Sequence, residues 1–129
     1  MSDNKKVLVI EDEESMRKAL VRELVRQEFT ALEAANGKEG LEMALRERPD
    51  MILLDIIMPV MDGLTMLGKL REQGEWGKGV PVIILTNLSA DSEKIISGVA
   101  KHEPAFYMVK VNWQPHDVVD RVRERLSSK

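Results

Sequence analysis

The sequence predicts an α/β domain, a parallel five-stranded sheet with helices on both faces. Three observations point there. Short apolar runs begin near residues 7, 30, 52, 80 and 106, and each leads into a segment of helical periodicity. Strict βα alternation calls for right-handed crossovers that cover both sheet faces. The clearest runs, Val7-Leu8-Val9-Ile10 and Met51-Ile52-Leu53-Leu54, are continuous rather than alternating, as expected of strands buried on both sides.

In chain order, the first strand is Val7–Ile10, followed by the acidic run Glu11-Asp12-Glu13-Glu14. Met16, Ala19, Leu20, Leu24 and Val25 then recur at helical spacing, with Arg and Lys on the other face. Ser15 is the expected cap of that helix, and Glu13 and Glu14 suit its positive end. A weaker strand runs from Phe29 to Glu33. After the Asn36-Gly37 turn, Leu41, Met43, Ala44 and Leu45 mark a second helix that stops before Pro49.

The Met51 strand ends in a lone carboxylate, Asp55. A third helix starts near Asp62, carries Leu64, Met66, Leu67 and Leu70, and stops by Gly74. Glu75 to Gly79, with its small residues around Trp76, reads as a loop. The fourth strand is Val80–Leu85, with Pro81 tolerated near its start. Ile95, Ile96 and Val99 mark a fourth helix and Phe106–Val109 a fifth strand. Pro115 suits the first turn of a last helix built on Val118, Val119, Val122 and Leu126.

Composition bounds the function. With 43% apolar and 32% charged residues over 129 positions, the chain can bury one proper core. A net charge of −3 gives no basis for direct nucleic-acid binding. The absence of cysteine rules out disulfide and thiolate chemistry and fits a cytoplasmic setting. No apolar run approaches the roughly 20 residues of a membrane span, and no signal peptide precedes the first strand.

The polar residues that follow the strands carry the chemistry. Glu11 and Asp12 follow the first, Asp55 ends the third, Thr86 follows the fourth and Lys110 the fifth. In open α/β sheets ligands bind at this carboxyl edge. Carboxylates gathered there repel, and a hard divalent cation relieves them; Mg²⁺ favours a few carboxylates together with water and phosphate oxygens. With an ammonium and a hydroxyl added, the set describes a site for a phosphoryl group.

These features resemble the receiver domain of bacterial two-component response regulators over about residues 6 to 127. The matching parts are Glu11-Asp12, the Leu54-Asp55-Ile56-Ile57-Met58-Pro59 run with Asp62-Gly63 after it, Thr86, and Lys110 three residues after Tyr107. The resemblance implies a flavodoxin-like (βα)5 sandwich with strand order 2-1-3-4-5. It implies that Asp55 takes a phosphoryl group from a phosphohistidine, and that the domain catalyses only its own phosphorylation and dephosphorylation. Asp12 and Asp55 would ligate Mg²⁺ with Glu11 assisting and the Ile57 backbone carbonyl adding a ligand. Lys110 would pair with Asp55 and then with the acyl phosphate. Thr86 and Tyr107 would move together as a switch, reshaping the face of the fourth helix, fifth strand and last helix.

The implied partners are a sensor histidine kinase or phosphotransfer protein upstream. Downstream is either a protein that reads the switched face or an output domain in a longer chain; homodimerisation on phosphorylation stays open. Because the chain stops three residues after Leu126, one receiver domain over 1–129 without an output domain is expected. There are departures: Val111 stands where the family has proline, Asn87 where it has a small residue, and Glu103-Pro104 where it has Gly-Ala. Apolar Ile57 and Leu88 beside the phosphoryl group lead us to expect slow self-dephosphorylation. Trp76, Trp113, His102 and His116 read as packing or surface residues. The competing reading is a pseudo-receiver that docks partners without phosphorylation. A dehalogenase-like phosphatase would need a second Asp at position 57, and a flavodoxin would not place four acids where the flavin phosphate sits.

Overall fold

The computed structural model describes residues 5–55, 60–86, 105–109 and 114–127, with side chains described except at 86 and 105–109. The elements run β1 (Lys6–Ile10), α1 (Glu14–Arg26), β2 (Thr30–Ala34), α2 (Gly37–Glu47), β3 (Met51–Asp55), α3 (Gly63–Arg71), α4 (Gly74–Gly79), β4 (Val82–Thr86), β5 (Ala105–Val109) and α5 (Pro115–Ser127). The five strands pair in parallel in the order β2-β1-β3-β4-β5. This is the flavodoxin-like arrangement expected of the sequence.

Strand parity builds two cores. Leu8, Ile10, Ile52, Leu54, Val82 and Ile84 face one side, where Ala44 of α2 and Met66, Leu67 and Leu70 of α3 pack on them. Val7, Val9, Met51, Leu53, Ile83 and Leu85 face the other side, against Leu20 and Leu24 of α1 and Val118, Val119 and Val122 of α5. Every one of these side chains is at most 1% exposed. This explains the unbroken apolar runs, since both parities must be apolar when both faces are covered.

Local signals set the helix ends. Asn36 caps α2 by accepting from the Glu39 N–H at 2.9 Å. Asp62 caps α3 by accepting from the Thr65 N–H at 2.9 Å, and the Thr65 hydroxyl donates to its other oxygen at 3.1 Å. α1 ends in a Schellman motif: the Phe29 N–H donates to the Leu24 carbonyl and the Glu28 N–H to that of Val25, both at 2.9 Å. Phe29 and Leu24 share the α1/α5 core, supplying the apolar contact that accompanies this motif. Glu28 adopts the left-handed conformation it requires, at φ 74.

Several expectations need correction. The segment Glu75–Gly79 is a short helix rather than a loop, because buried Arg71 organises it. The Arg71 guanidinium donates from Nη1 to the carbonyls of Gly77 at 2.9 Å and Val80 at 2.7 Å, and Trp76 packs half-buried on the α2/α3 core. Burial pushes Arg71 down to about 10, which still leaves it charged at neutral pH. Ser15 does not cap α1; Glu13 holds the cap position, without a side-chain cap bond. Val25 and Leu45 fit the helical spacing, yet they are 58% and 37% exposed. β2 extends through Ala34, while β4 runs Val82–Thr86, later than the Val80 start expected. The fourth-helix residues Ile95, Ile96 and Val99 lie outside the described residues, as do Asn87, Leu88, His102, the Glu103-Pro104 pair, Val111 and Trp113. Among the described residues no helix is long and apolar enough to cross a membrane.

Candidate functional site

The chain reverses its direction of sheet building between β1 and β3, the kind of switch point where open α/β sheets bind ligands. Ile10 stands opposite Leu54 in the ladder, so the next residues, Glu11 and Asp55, emerge side by side. One carboxylate oxygen from each of Glu11, Asp12 and Asp55 lies within 4.8 Å of the others. Glu11 is 1% exposed, Asp55 is 6% exposed, and Asp12 opens to solvent. Two buried carboxylates and one exposed carboxylate, all hard oxygen donors with room for water, suit Mg²⁺ or a similar cation. These three expected ligands are therefore brought together.

Glu11 is anchored by backbone and side chain. Its N–H donates to the Ala34 carbonyl at 3.1 Å, prolonging the β1–β2 ladder, and its Oε2 accepts from the Glu13 N–H at 3.1 Å. Its carbonyl accepts from Arg17 Nη1 at 2.9 Å. Arg17 Nε and Lys18 Nζ each donate to Glu33, at 2.9 Å. The Lys18 bond first, and the Arg17 bond after it, hold the Glu33 carboxyl below its ordinary range against the opposing effect of burial. Sequence reasoning missed Arg17 and Glu33. The available signal was an isolated acid in a strand that carries few other charges, facing the basic pair at 17 and 18.

The remaining expected site residues divide as follows. Thr86 closes β4 opposite Val109 of β5, and Tyr107 sits in β5 opposite Ile84. Ile57 and Lys110 lie outside the described residues. Asp62, another acid close in sequence to Asp55, is committed to the α3 cap rather than to the cluster. Gly37 of α2 abuts the backbone carbonyl of Met61, and a Cβ there would collide with it. The absent side chain thus lets α2 brace the segment that leads from β3 to α3. In that segment Val60 holds φ 72, a strained conformation for a β-branched residue, and is 76% exposed.

Known proteins share this fold. The response regulator receiver domain family matches residues 7–123. The chain is 36% identical over 93 residues to the alkaline phosphatase synthesis transcriptional regulatory protein PhoP of Bacillus subtilis, covering 72% of this chain and 38% of PhoP. It is 34% identical over 120 residues to the transcriptional regulatory protein SrrA of Staphylococcus aureus, covering 93% of this chain and 47% of SrrA. The chain thus spans less than half the length of these relatives. Among solved structures it is similar to the Vibrio cholerae chemotaxis response regulator CheY4, with a TM-score of 0.82 and 27% identity, over 93% of this chain and 97% of that one.

Proposed function

The chain belongs to the response regulator receiver domain family, and on that premise we propose that it is a phosphorylation-operated signalling switch whose acceptor is Asp55. One observation carries this reading. Asp55 is a buried carboxylate whose oxygen lies within 4.8 Å of oxygens of Glu11 and Asp12, at the sheet's switch point.

In the proposed reaction an Asp55 carboxylate oxygen attacks the phosphorus of a phosphohistidine. A P–O bond forms, the P–N bond breaks, and the imidazole leaves with the electron pair of that bond. Burial keeps the nucleophile partly desolvated, and its place opposite Leu85 in the β3–β4 ladder fixes its backbone. Glu11, Asp12 and Asp55 would hold Mg²⁺, with the Ile57 carbonyl as a further ligand. When bound, the ion would offset the carboxylate and phosphoryl charges that otherwise oppose approach. Lys110 would pair with Asp55 and then with the acyl phosphate. Thr86 would donate its hydroxyl to a phosphoryl oxygen, with Tyr107 following as the second part of the switch.

Family membership supports the rest of the proposal. The phosphoryl donor is a sensor histidine kinase or phosphotransfer protein, and the output is a protein partner or a further domain. Both relatives described above are named as transcriptional regulators, and this chain matches less than half of each. A cytoplasmic setting and an activity confined to the domain's own phosphorylation and dephosphorylation belong to the same proposal. The test is intact mass after incubation with acetyl phosphate, with and without Mg²⁺, for the wild type and Asp55→Asn. A gain of one phosphoryl group that needs both Mg²⁺ and Asp55 is expected. A folded, Mg²⁺-binding protein that gains none would refute the reading and leave a phosphorylation-independent docking module.

A further inference from the structure

Arg17 spans the turn that carries two of the three clustered carboxylates. Residues 11–13 link β1 to α1, and Arg17 reaches back from α1 over that link. Its guanidinium makes two bonds from different nitrogens: Nη1 to the Glu11 main-chain carbonyl and Nε to Glu33 Oε1, each at 2.9 Å. The side chain is 14% exposed, closed between the turn and β2. Glu33 is fixed in turn by Lys18 at 2.9 Å. With the Glu11 N–H bonded to Ala34, both backbone polar groups of Glu11 are tied, one to β2 and one to Arg17.

We infer that Arg17 is a positioning residue for the divalent-cation site. Through the Glu11 carbonyl, and aimed by Glu33, it holds Glu11 and Asp12 in place relative to Asp55. The inference rests on the reading of this cluster as the cation site of a phosphoryl switch. It concerns a residue that touches none of the three clustered carboxylate oxygens in the bonds described.

Two opposing effects of a guanidinium beside carboxylates make the inference testable by sign. As a charge, Arg17 competes with a bound cation, so its removal should tighten Mg²⁺ binding. As a rigid planar fork, it sets the turn, so its removal should weaken binding. Glu33 offsets the charge and leaves the fork, which favours the second effect. Groups that orient metal ligands from outside the coordination sphere commonly alter affinity by roughly 10- to 100-fold.

The experiment is calorimetric titration of Mg²⁺ into the wild type, Arg17→Met, Arg17→Lys and Arg123→Met, with urea unfolding of each in parallel. Arg123 also steadies α1, through Gln27 and the Phe29 ring, but acts at its far end, so it controls for general loosening. Arg17→Met should bind Mg²⁺ roughly tenfold more weakly. Arg17→Lys keeps the charge and loses the fork, and should fall between it and the wild type. Arg123→Met should bind as the wild type does. Unchanged or tighter binding by Arg17→Met, or equal weakening in Arg123→Met, overturns the inference while leaving the switch reading intact. If Arg17→Met does not fold, Arg17→Lys decides alone, and wild-type affinity in it overturns the inference. A wild type that binds no Mg²⁺ sinks the inference and the switch reading together.

Discussion

Asp55→Asn should stabilise the metal-free protein although it removes the proposed phosphoryl acceptor. One oxygen each from Glu11, Asp12 and Asp55 falls within 4.8 Å of the others. At that separation two unit charges repel by roughly 3.5 kcal/mol at an effective dielectric of 20, and by roughly 0.9 kcal/mol in bulk water. Glu11 and Asp55 are 1% and 6% exposed, so their mutual repulsion lies nearer the first figure. Asp12 is solvent-facing, so its share lies nearer the second. The nearly isosteric amide removes two of the three pairwise repulsions, and bonds that the carboxylate makes offset part of the gain. A net stabilisation of about 1–3 kcal/mol in EDTA is expected on this Coulomb scale. Urea unfolding followed by tryptophan fluorescence measures it. Mg²⁺ at 100 times its Kd would add about 2.7 kcal/mol to the wild type and less to the variant, closing or reversing the gap. A variant less stable than the wild type in EDTA, or a wild type whose midpoint ignores Mg²⁺, would refute the argument.

Three further outcomes follow from packing and charge. Glu28→Gly should stabilise by about 0.5–1 kcal/mol, because Glu28 is exposed at φ 74 in the Schellman motif and glycine carries no Cβ penalty there. Glu28→Ala should show no such gain in the same unfolding assay, and an equal gain would rule out the backbone explanation. Arg71→Met should destabilise by about 2–3 kcal/mol, since it strips the bonds to the Gly77 and Val80 carbonyls; an unchanged urea midpoint would show that the guanidinium's desolvation cancels them. The Glu33 carboxyl, held below its ordinary 4.5 chiefly by Lys18 and then Arg17, stabilises the fold above that pH and loses its contribution as pH falls through the lowered folded value. The stability gap between wild type and Glu33→Gln should therefore be full at neutral pH and shrink on acidification below about 4.5. A gap that is constant with pH would exclude the ion pairs as its source.

The sequence by itself determined most of the described elements and the carboxylates that stand at the ends of β1 and β3. Runs such as Val7–Ile10 and Met51–Leu54 are apolar at both parities, and only a strand covered on both faces needs that. Asn36 and Asp62 mark helix starts because each cap bond spans three residues. Exposure followed periodicity less faithfully. Val25 and Leu45 have the right spacing but remain exposed.

Only the tertiary structure decided what is non-local. Glu11 meets Asp55 because β1 and β3 are neighbours, which nothing in either segment specifies. Arg17 finds Glu33 through the separate β1–β2 ladder. The helix Gly74–Gly79 forms in a glycine-rich stretch of low helix propensity because a buried arginine takes up carbonyls at and beyond its end. Propensity, periodicity and capping act over a few residues and can be read along the chain. Which carboxylates meet depends on the pairing of β1 with β3, and which arginine reaches the turn that carries two of them depends on the pairing of β1 with β2, between segments far apart in the chain.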